Sequence, residues 1–219
     1  MLRKKRLKRW KKITIYWYQF QAEHSIDFWD LLKNGKVTVT QLNKDYNFKS
    51  FDCGNTDLND FLFNDSKIYL KHLRYTMTLL ETDSKIIAYY SLANDLLSVS
   101  DRQDFADEMQ DCKNKIDFDF WERFLNQKMY PAAKIGRLAV DKDFQDQGIG
   151  TFLIKSLVQS FIRKNKTGCQ FITVDAINDN SQRAIRFYEN NGFKYLTVGD
   201  VNKESRQMYK SLLEYIEAE

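Results

Sequence analysis

Hydrophobic and polar positions alternate along this chain with two periods, and the change from one to the other outlines the elements. Residues 13–20, "ITIYWYQF", alternate loosely as a strand would, and 36–42, "KVTVTQL", do so more cleanly, with Val37, Val39 and Gln41 on one side. Between 56 and 71 the period lengthens: Leu58, Phe61, Leu62, Tyr69 and Leu70 recur at helical spacing, with Asn55 or Thr56 placed to cap the start. "RYTMTLLET" and "KIIAYYSLAN" flank Asp83–Ser84 and predict a hairpin of two long strands. Residues 101–128 are charged and aromatic, a pattern for one or two surface helices. "AKIGRLAV" (133–140) predicts a strand, and 149–163 a helix whose apolar face carries Ile149, Phe152, Leu153, Leu157, Phe161 and Ile162. "CQFITVDAI" (169–177) is a buried strand. Asp179 with Gln182 has capping-box spacing for a short helix that stops at Gly192, followed by Phe193. "FKYLTVG" and "RQMYKSLL" supply the last two strands, the first being the clearer. The prediction is an α/β protein of the α+β mixed-sheet kind, six or seven strands flanked by helices.

Charge divides the chain unevenly. Residues 1–12 hold eight Lys or Arg and no acid, and without them the formal charge of +4 becomes −4. Such an arm suits an anionic partner such as nucleic acid, or is a solvated tail. The domain reading is therefore a basic N-terminal extension over 1–35 and one domain over 36–219, with a helical insertion at about 101–128. No run reaches the roughly 18 apolar residues of a membrane span, and the N-terminus lacks the apolar core of a secretory signal. Three cysteines far apart, Cys53, Cys112 and Cys169, fit a reducing cytoplasm better than a disulfide framework. Two histidines and no CxxC pair argue against zinc, and the absence of GxSxG argues against a serine hydrolase.

The candidate chemistry lies in "LAVDKDFQDQGIGTFLIKSL", residues 138–157, where a strand runs through a glycine turn into a helix. The first N–H groups of such a helix have no intrahelical partner and sit at its positive end, so the turn can hold a phosphate. It is not a Walker loop, because no Lys-Ser or Lys-Thr follows the glycines. Nor is it a dinucleotide fingerprint, because Leu153 stands where the third glycine belongs. Gly148 and Gly150 serve either as clearance for a ligand or for close packing between elements. Asp146 suits a phosphate site only if it points to solvent.

Gln145-x-x-Gly148-x-Gly150, and "AINDNSQRAIRFYENNGFKYL" further on, resemble the two conserved blocks of the GNAT acetyltransferase superfamily over about residues 132–199. The resemblance implies the GNAT fold and transfer of an acetyl group from acetyl-CoA, without a metal, to an amine. In that reading Gln145 opens the motif, and the backbone at Gln147, Gly148, Ile149, Gly150 and Thr151 holds the pyrophosphate. The Leu138–Ala139–Val140 edge pairs with the pantetheine arm. Asn180 contacts its amides, Ala184 and Phe187 line its path, and Tyr188 is the general acid for the leaving thiolate. Glu81, Asp95 and Asp175 are the carboxylates considered as a base, and none is assigned.

"FKSFDCGNTDLNDFL" (48–62) resembles a signature of the GNAT-type toxins through Phe51, Cys53, Gly54, Leu58, Phe61 and Leu62. That resemblance implies aminoacyl-tRNA as acceptor and an antitoxin protein as partner, and a homodimer is left open. A small amine or a protein or peptide amine stays open as acceptor, as does a non-catalytic nucleic-acid-binding protein. A tRNA reading needs local basic clusters such as Arg163–Lys166, Lys113–Lys115 or the N-terminal arm.

Overall fold

The structure is a computed structural model that describes residues 27–99, 102–197 and 199–216. The basic arm and the strand expected at 13–20 lie outside these residues. Helix α1 (Asp27–Lys33) leads into β1 (Thr38–Gln41). The helix expected at 56–71 is present in three joined segments, Thr56–Asp60, a π-helical turn Phe61–Asp65, and Ser66–Lys71, together α2. Asn55 caps it, its side chain accepting from the Leu58 N–H at 3.0 Å. The widened turn coincides with the Ser66 hydroxyl donating to the Leu62 carbonyl at 2.6 Å, a bond that competes for an oxygen of the helix ladder.

The hairpin follows as β2 (Thr76–Glu81) and β3 (Ile86–Ser98). Then come α3 (Arg102–Glu108), a 3-10 turn (Gln110–Lys115) and α4 (Phe118–Leu125). The second half runs β4 (Met129–Val140), α5 (Ile149–Arg163), β5 (Phe171–Ile177), α6 (Arg183–Asn190), β6 (Lys194–Tyr195) and β7 (Ser205–Ser211). Among the described residues the strands form one mixed seven-stranded sheet in the order β1-β2-β3-β4-β5-β7-β6. Among the described residues only β4 and β5 are parallel neighbouring strands, joined through α5.

One face of the sheet is covered by α5, α6 and α1. Ile154, Leu157, Val158, Ile185 and Tyr188 pack there on Ala133, Ile135, Ile172, Val174 and Met208. Phe28 and Trp29 of α1 pack on Leu80, Ala88, Ile149 and Leu153. The opposite face carries two clusters. Phe61 and Leu62 of α2 lie on Leu79, Tyr89 and Ala139, while Phe105, Trp121 and Phe124 lie on Tyr130, Ala132 and Phe171.

Two expectations about strands change. Val39 points to solvent, 68% exposed, whereas Leu42 is buried and Thr40 partly so, at the outer edge of the sheet. The last strands exchange importance. β7 is long and pairs with β5 over its whole length, while β6 contributes two residues at the sheet's edge.

Candidate active site

The site begins where two strands part. β4 stays paired with β3 as far as Ala88↔Val140, but its ladder with β5 ends at Ile135↔Val174. Beyond that point β5 continues to Ile177 with β7 instead. The Gly136–Val140 stretch of β4 therefore forms one wall of a wedge, with an edge turned away from β3 and free of the β5 ladder. A glycine stands at the bend: a Cβ on Gly136 would lie 2.4 Å from the Tyr75 ring and 3.0 Å from Ser91 Oγ, and the β3–β4 register shifts at the same place.

At the head of the wedge the chain turns from β4 into α5. Asp141, fully buried, accepts from the N–H groups of Asp52 at 2.9 Å and Asp143 at 3.0 Å and pairs with Lys85 at 2.9 Å. The Gln145 amide donates to the carbonyls of Cys53 at 2.8 Å and Val140 at 2.9 Å and accepts from Arg183 at 3.3 Å. The loop then takes two left-handed residues, Asp146 (φ 60°) and Gly148 (φ 76°). Glycine suits the second, and a short polar side chain tolerates the first. The first bond inside α5 is from Phe152 N–H to the Gly148 carbonyl at 3.0 Å, so the N–H groups of Ile149, Gly150 and Thr151 precede the ladder. Asp146 is 91% exposed and faces solvent beside Arg183 at 3.5 Å, a screened pair of little energetic weight. These donors and this turn fit a pyrophosphate.

The two motif glycines divide their work. Gly148 supplies the left-handed turn. Gly150 is helical, and a Cβ there would lie 2.8 Å from Phe187 Cε2 and 3.9 Å from a Leu138 methyl. Its clearance serves packing of α5 on α6, one of the two roles open to these glycines. Leu138, Gly150 and Phe187 thereby bring β4, α5 and α6 together at the wedge.

Helix α6 ends as a Schellman motif. Phe193 N–H bonds the Tyr188 carbonyl at 3.0 Å and Gly192 N–H bonds the Glu189 carbonyl at 2.8 Å, with Gly192 at φ 76°. The Tyr188 and Phe193 rings meet edge-on at 5.1 Å, the apolar contact that accompanies this cap. Tyr188 is buried, and desolvation alone pushes its phenol well above the ordinary tyrosine value. Ala184, one turn earlier, is half-buried. At the other end of α6 the capping box is replaced by an Asp179 turn that accepts from the Ser181 and Gln182 N–H groups, with Gln182 left-handed at φ 53°. Asn180 is exposed on that turn. Asn178, beside it, is committed to the carbonyls of Val201 and Lys203. Ala139 is buried with its side chain toward the α2 face, so only its backbone can serve the wedge.

The carboxylates considered as a base are engaged elsewhere. Glu81 is buried and accepts from Thr40 and Tyr46 beside Lys49. Asp95 accepts from Thr173 at 2.5 Å, and Asp175 pairs with Lys134 at 2.5 Å. Two contributors were not legible in the sequence. One is Asp141, which bolts the loop to the Asp52–Gly54 segment. The other is Trp29, whose indole N–H donates to the Gln147 carbonyl at 3.1 Å. Gln147 is itself buried, and its side-chain oxygen accepts from the Phe28 N–H at 3.3 Å.

Residues 113–195 match the family model described as an acetyltransferase (GNAT) domain. Among curated proteins, none matches the sequence. Solved structures share the fold. A mutant of the toxin AtaT bound to the C-terminus of the antitoxin AtaR aligns with TM-score 0.59 and 21% identity, over 80% of this chain and 92% of that one. A mutant of KacT gives 0.60 and 20%, over 81% and 95%. AtaT complexed with acetyl-methionyl-tRNAfMet gives 0.59 and 20%, over 80% and 94%. Residues 113–195 thus resemble a GNAT acetyltransferase domain, and the chain shares its fold with these solved structures.

Proposed function

We propose that acetyl transfer takes place in the wedge between β4 and β5, directly from acetyl-CoA to an amine. The observation that carries this reading is the end of the β4–β5 ladder at Ile135↔Val174, directly below a left-handed glycine turn that opens a 15-residue helix. The N–H groups of Gly148, Ile149, Gly150 and Thr151 hold the pyrophosphate at the positive end of α5. The open edge at Leu138–Val140 pairs with the pantetheine amides, with Asn180 closing over them. A main-chain N–H of that edge stabilises the tetrahedral oxyanion. The amine attacks the thioester carbon, the C–S bond breaks, and the Tyr188 phenol gives its proton to the departing sulfur. The phenol is protonated at neutral pH, as a general acid must be, and burial pushes its pKa further up. The ammonium proton leaves to water, and no carboxylate is assigned as base.

For the acceptor we infer aminoacyl-tRNA, by analogy with the AtaT complex. One further observation supports it. A groove of about 580 Å³ lies on the α5 face of the sheet, lined by Arg74, Arg163, Lys164 and Lys166 together with Tyr75, Tyr90 and Phe161. None of its lining residues is a carboxylate, although the chain without its first 12 residues is net acidic. Cations with aromatic surfaces suit an RNA strand. This is where the Arg163–Lys166 cluster lies. An antitoxin as protein partner and a cytoplasmic setting go with this reading.

The test is incubation with labelled acetyl-CoA and separate pools of aminoacyl-tRNA, polyamines and peptides. Label in aminoacyl-tRNA is expected. Label in small amines or peptides alone refutes the tRNA acceptor, and no label with salt-sensitive RNA binding refutes catalysis. Tyr188→Phe should lower turnover about 10²-fold or more with acetyl-CoA still bound, and wild-type turnover removes Tyr188 from the mechanism.

A further inference from the structure

The donor loop cannot hold its shape through its own residues alone. Asp146 is a non-glycine residue in the left-handed region, a conformation that costs about 1–2 kcal/mol and persists only where the surroundings over-determine it. Two anchors do this. Gln145 is tied to Cys53 and Val140 on one side, and Gln147 is tied to α1 on the other. The second anchor comes from a helix more than 100 residues earlier in the sequence. α1 is fastened to α5 as well as to the loop: Phe28, Trp29 and Phe152 form an edge-to-face trio with centroids 4.8, 5.6 and 6.0 Å apart.

We propose that α1 is a working part of the acetyl-CoA site, and that Trp29 is a positioning residue that sets the direction of the donor-loop amides through its bond to the Gln147 carbonyl. The inference rests on the reading of residues 145–151 as the pyrophosphate site. The Gln147 carbonyl belongs to the peptide unit whose N–H is that of Gly148. An indole N–H on the oxygen therefore orients that peptide plane, and with it the Gly148 N–H that faces the anion. Withdrawing this bond lets the plane rotate. The cost falls on ligand binding, because the fixed dipoles no longer meet the phosphate without reorganisation. Tyr188 packs in a different core cluster from Trp29. Trp29 thus affects how well the donor is held, with little effect on how fast the bound donor reacts.

The experiment uses the full chain and Trp29→Phe, which keeps an aromatic ring in the trio and removes the indole N–H. The expected result is a rise of about three- to tenfold in both the Kd and the KM for acetyl-CoA, the loss of one hydrogen bond, with kcat within about twofold of wild type. A purely structural role for Trp29 would lower Tm and leave KM unchanged, and that outcome overturns the proposal. A second measurement on the wild-type protein does not depend on the variant folding. On addition of acetyl-CoA, amide exchange should slow in residues 27–33 together with 145–152. Protection of 145–152 with α1 unchanged overturns the proposal. Absence of any acetyl-CoA binding by the wild type overturns the donor-site reading itself and the proposal with it, and so is distinguished from failure of the Trp29 role alone.

Discussion

Gly150→Ala separates the two reasons a glycine can stand in the donor motif. The residue is helical, so alanine introduces no backbone strain, and in open space it would stabilise the helix by about 1 kcal/mol. The space is not open. The added methyl would sit 2.8 Å and 3.0 Å from two atoms of the Phe187 ring, closer than carbon atoms approach. The ring stands between α5 and α6 and packs edge-on against Tyr188 at 5.0 Å, so its displacement disturbs the contact between the helices and the seat of Tyr188. Overpacking of this kind costs about 1–3 kcal/mol, which exceeds the gain in helix propensity. The expected outcome is a net destabilisation of about 1 kcal/mol in urea unfolding, with a higher KM for acetyl-CoA. Phe187→Leu in the same chain removes the ring atoms that collide. The two changes should therefore couple favourably by about 1 kcal/mol in a double-mutant cycle, and KM should recover part of the way. Additivity within about 0.5 kcal/mol, or a Gly150→Ala protein more stable than wild type by the full propensity gain, would refute the packing argument. A KM defect that Phe187→Leu leaves untouched would return Gly150 to the role of clearance for the ligand.

Asp141→Asn should destabilise the protein by about 2–3 kcal/mol in chemical denaturation, because the fully buried carboxylate holds the Asp52 and Asp143 N–H groups and Lys85, and an amide turns donors toward donors. A change under 0.5 kcal/mol, roughly that of a surface site, would contradict this. Glu81 gives a pH signature. Burial alone would raise its pKa, but hydrogen bonds from Thr40, Tyr46 and Lys49 outweigh that and hold the carboxyl below the ordinary 4.5. The unfolded chain therefore binds the proton first. Glu81 should contribute its stability fully above about pH 4.5 and lose it as the pH falls toward the lower folded value. Glu81→Gln should flatten that part of the stability–pH curve, and an unchanged acid limb would count against the assignment.

The local parts of the proposed donor site were legible because they are local. Helix α5 begins and ends where its apolar spacing predicts, and the Gly192 stop, the Asn55 cap and the hairpin at Asp83–Ser84 are decided by neighbours within a few residues. Periodicity and turn chemistry act over that range. They could not reach the rest. That the β4–β5 ladder stops at Ile135↔Val174 depends on a shift in the β3–β4 register beside Gly136 and on β7 taking over β5. β7 outranks β6 because it lies inside the sheet, where pairing on both sides compensates for a Lys- and Arg-containing sequence. Val39 is exposed because β1 is the outermost strand of the sheet, and strand order is not written in local spacing.

The motif glycines carry the same division. The sequence alone determined that Gln145–Gly150 makes a phosphate-competent turn into a helix, since left-handed glycine and unpaired first-turn amides are properties of a short segment. Only the tertiary structure decided that Gly150 is there for Phe187, that Gln147 is held by Trp29, and that Asp146 looks to solvent. Each of these depends on which distant atoms arrive beside the loop, and residue spacing along a chain carries no information about that.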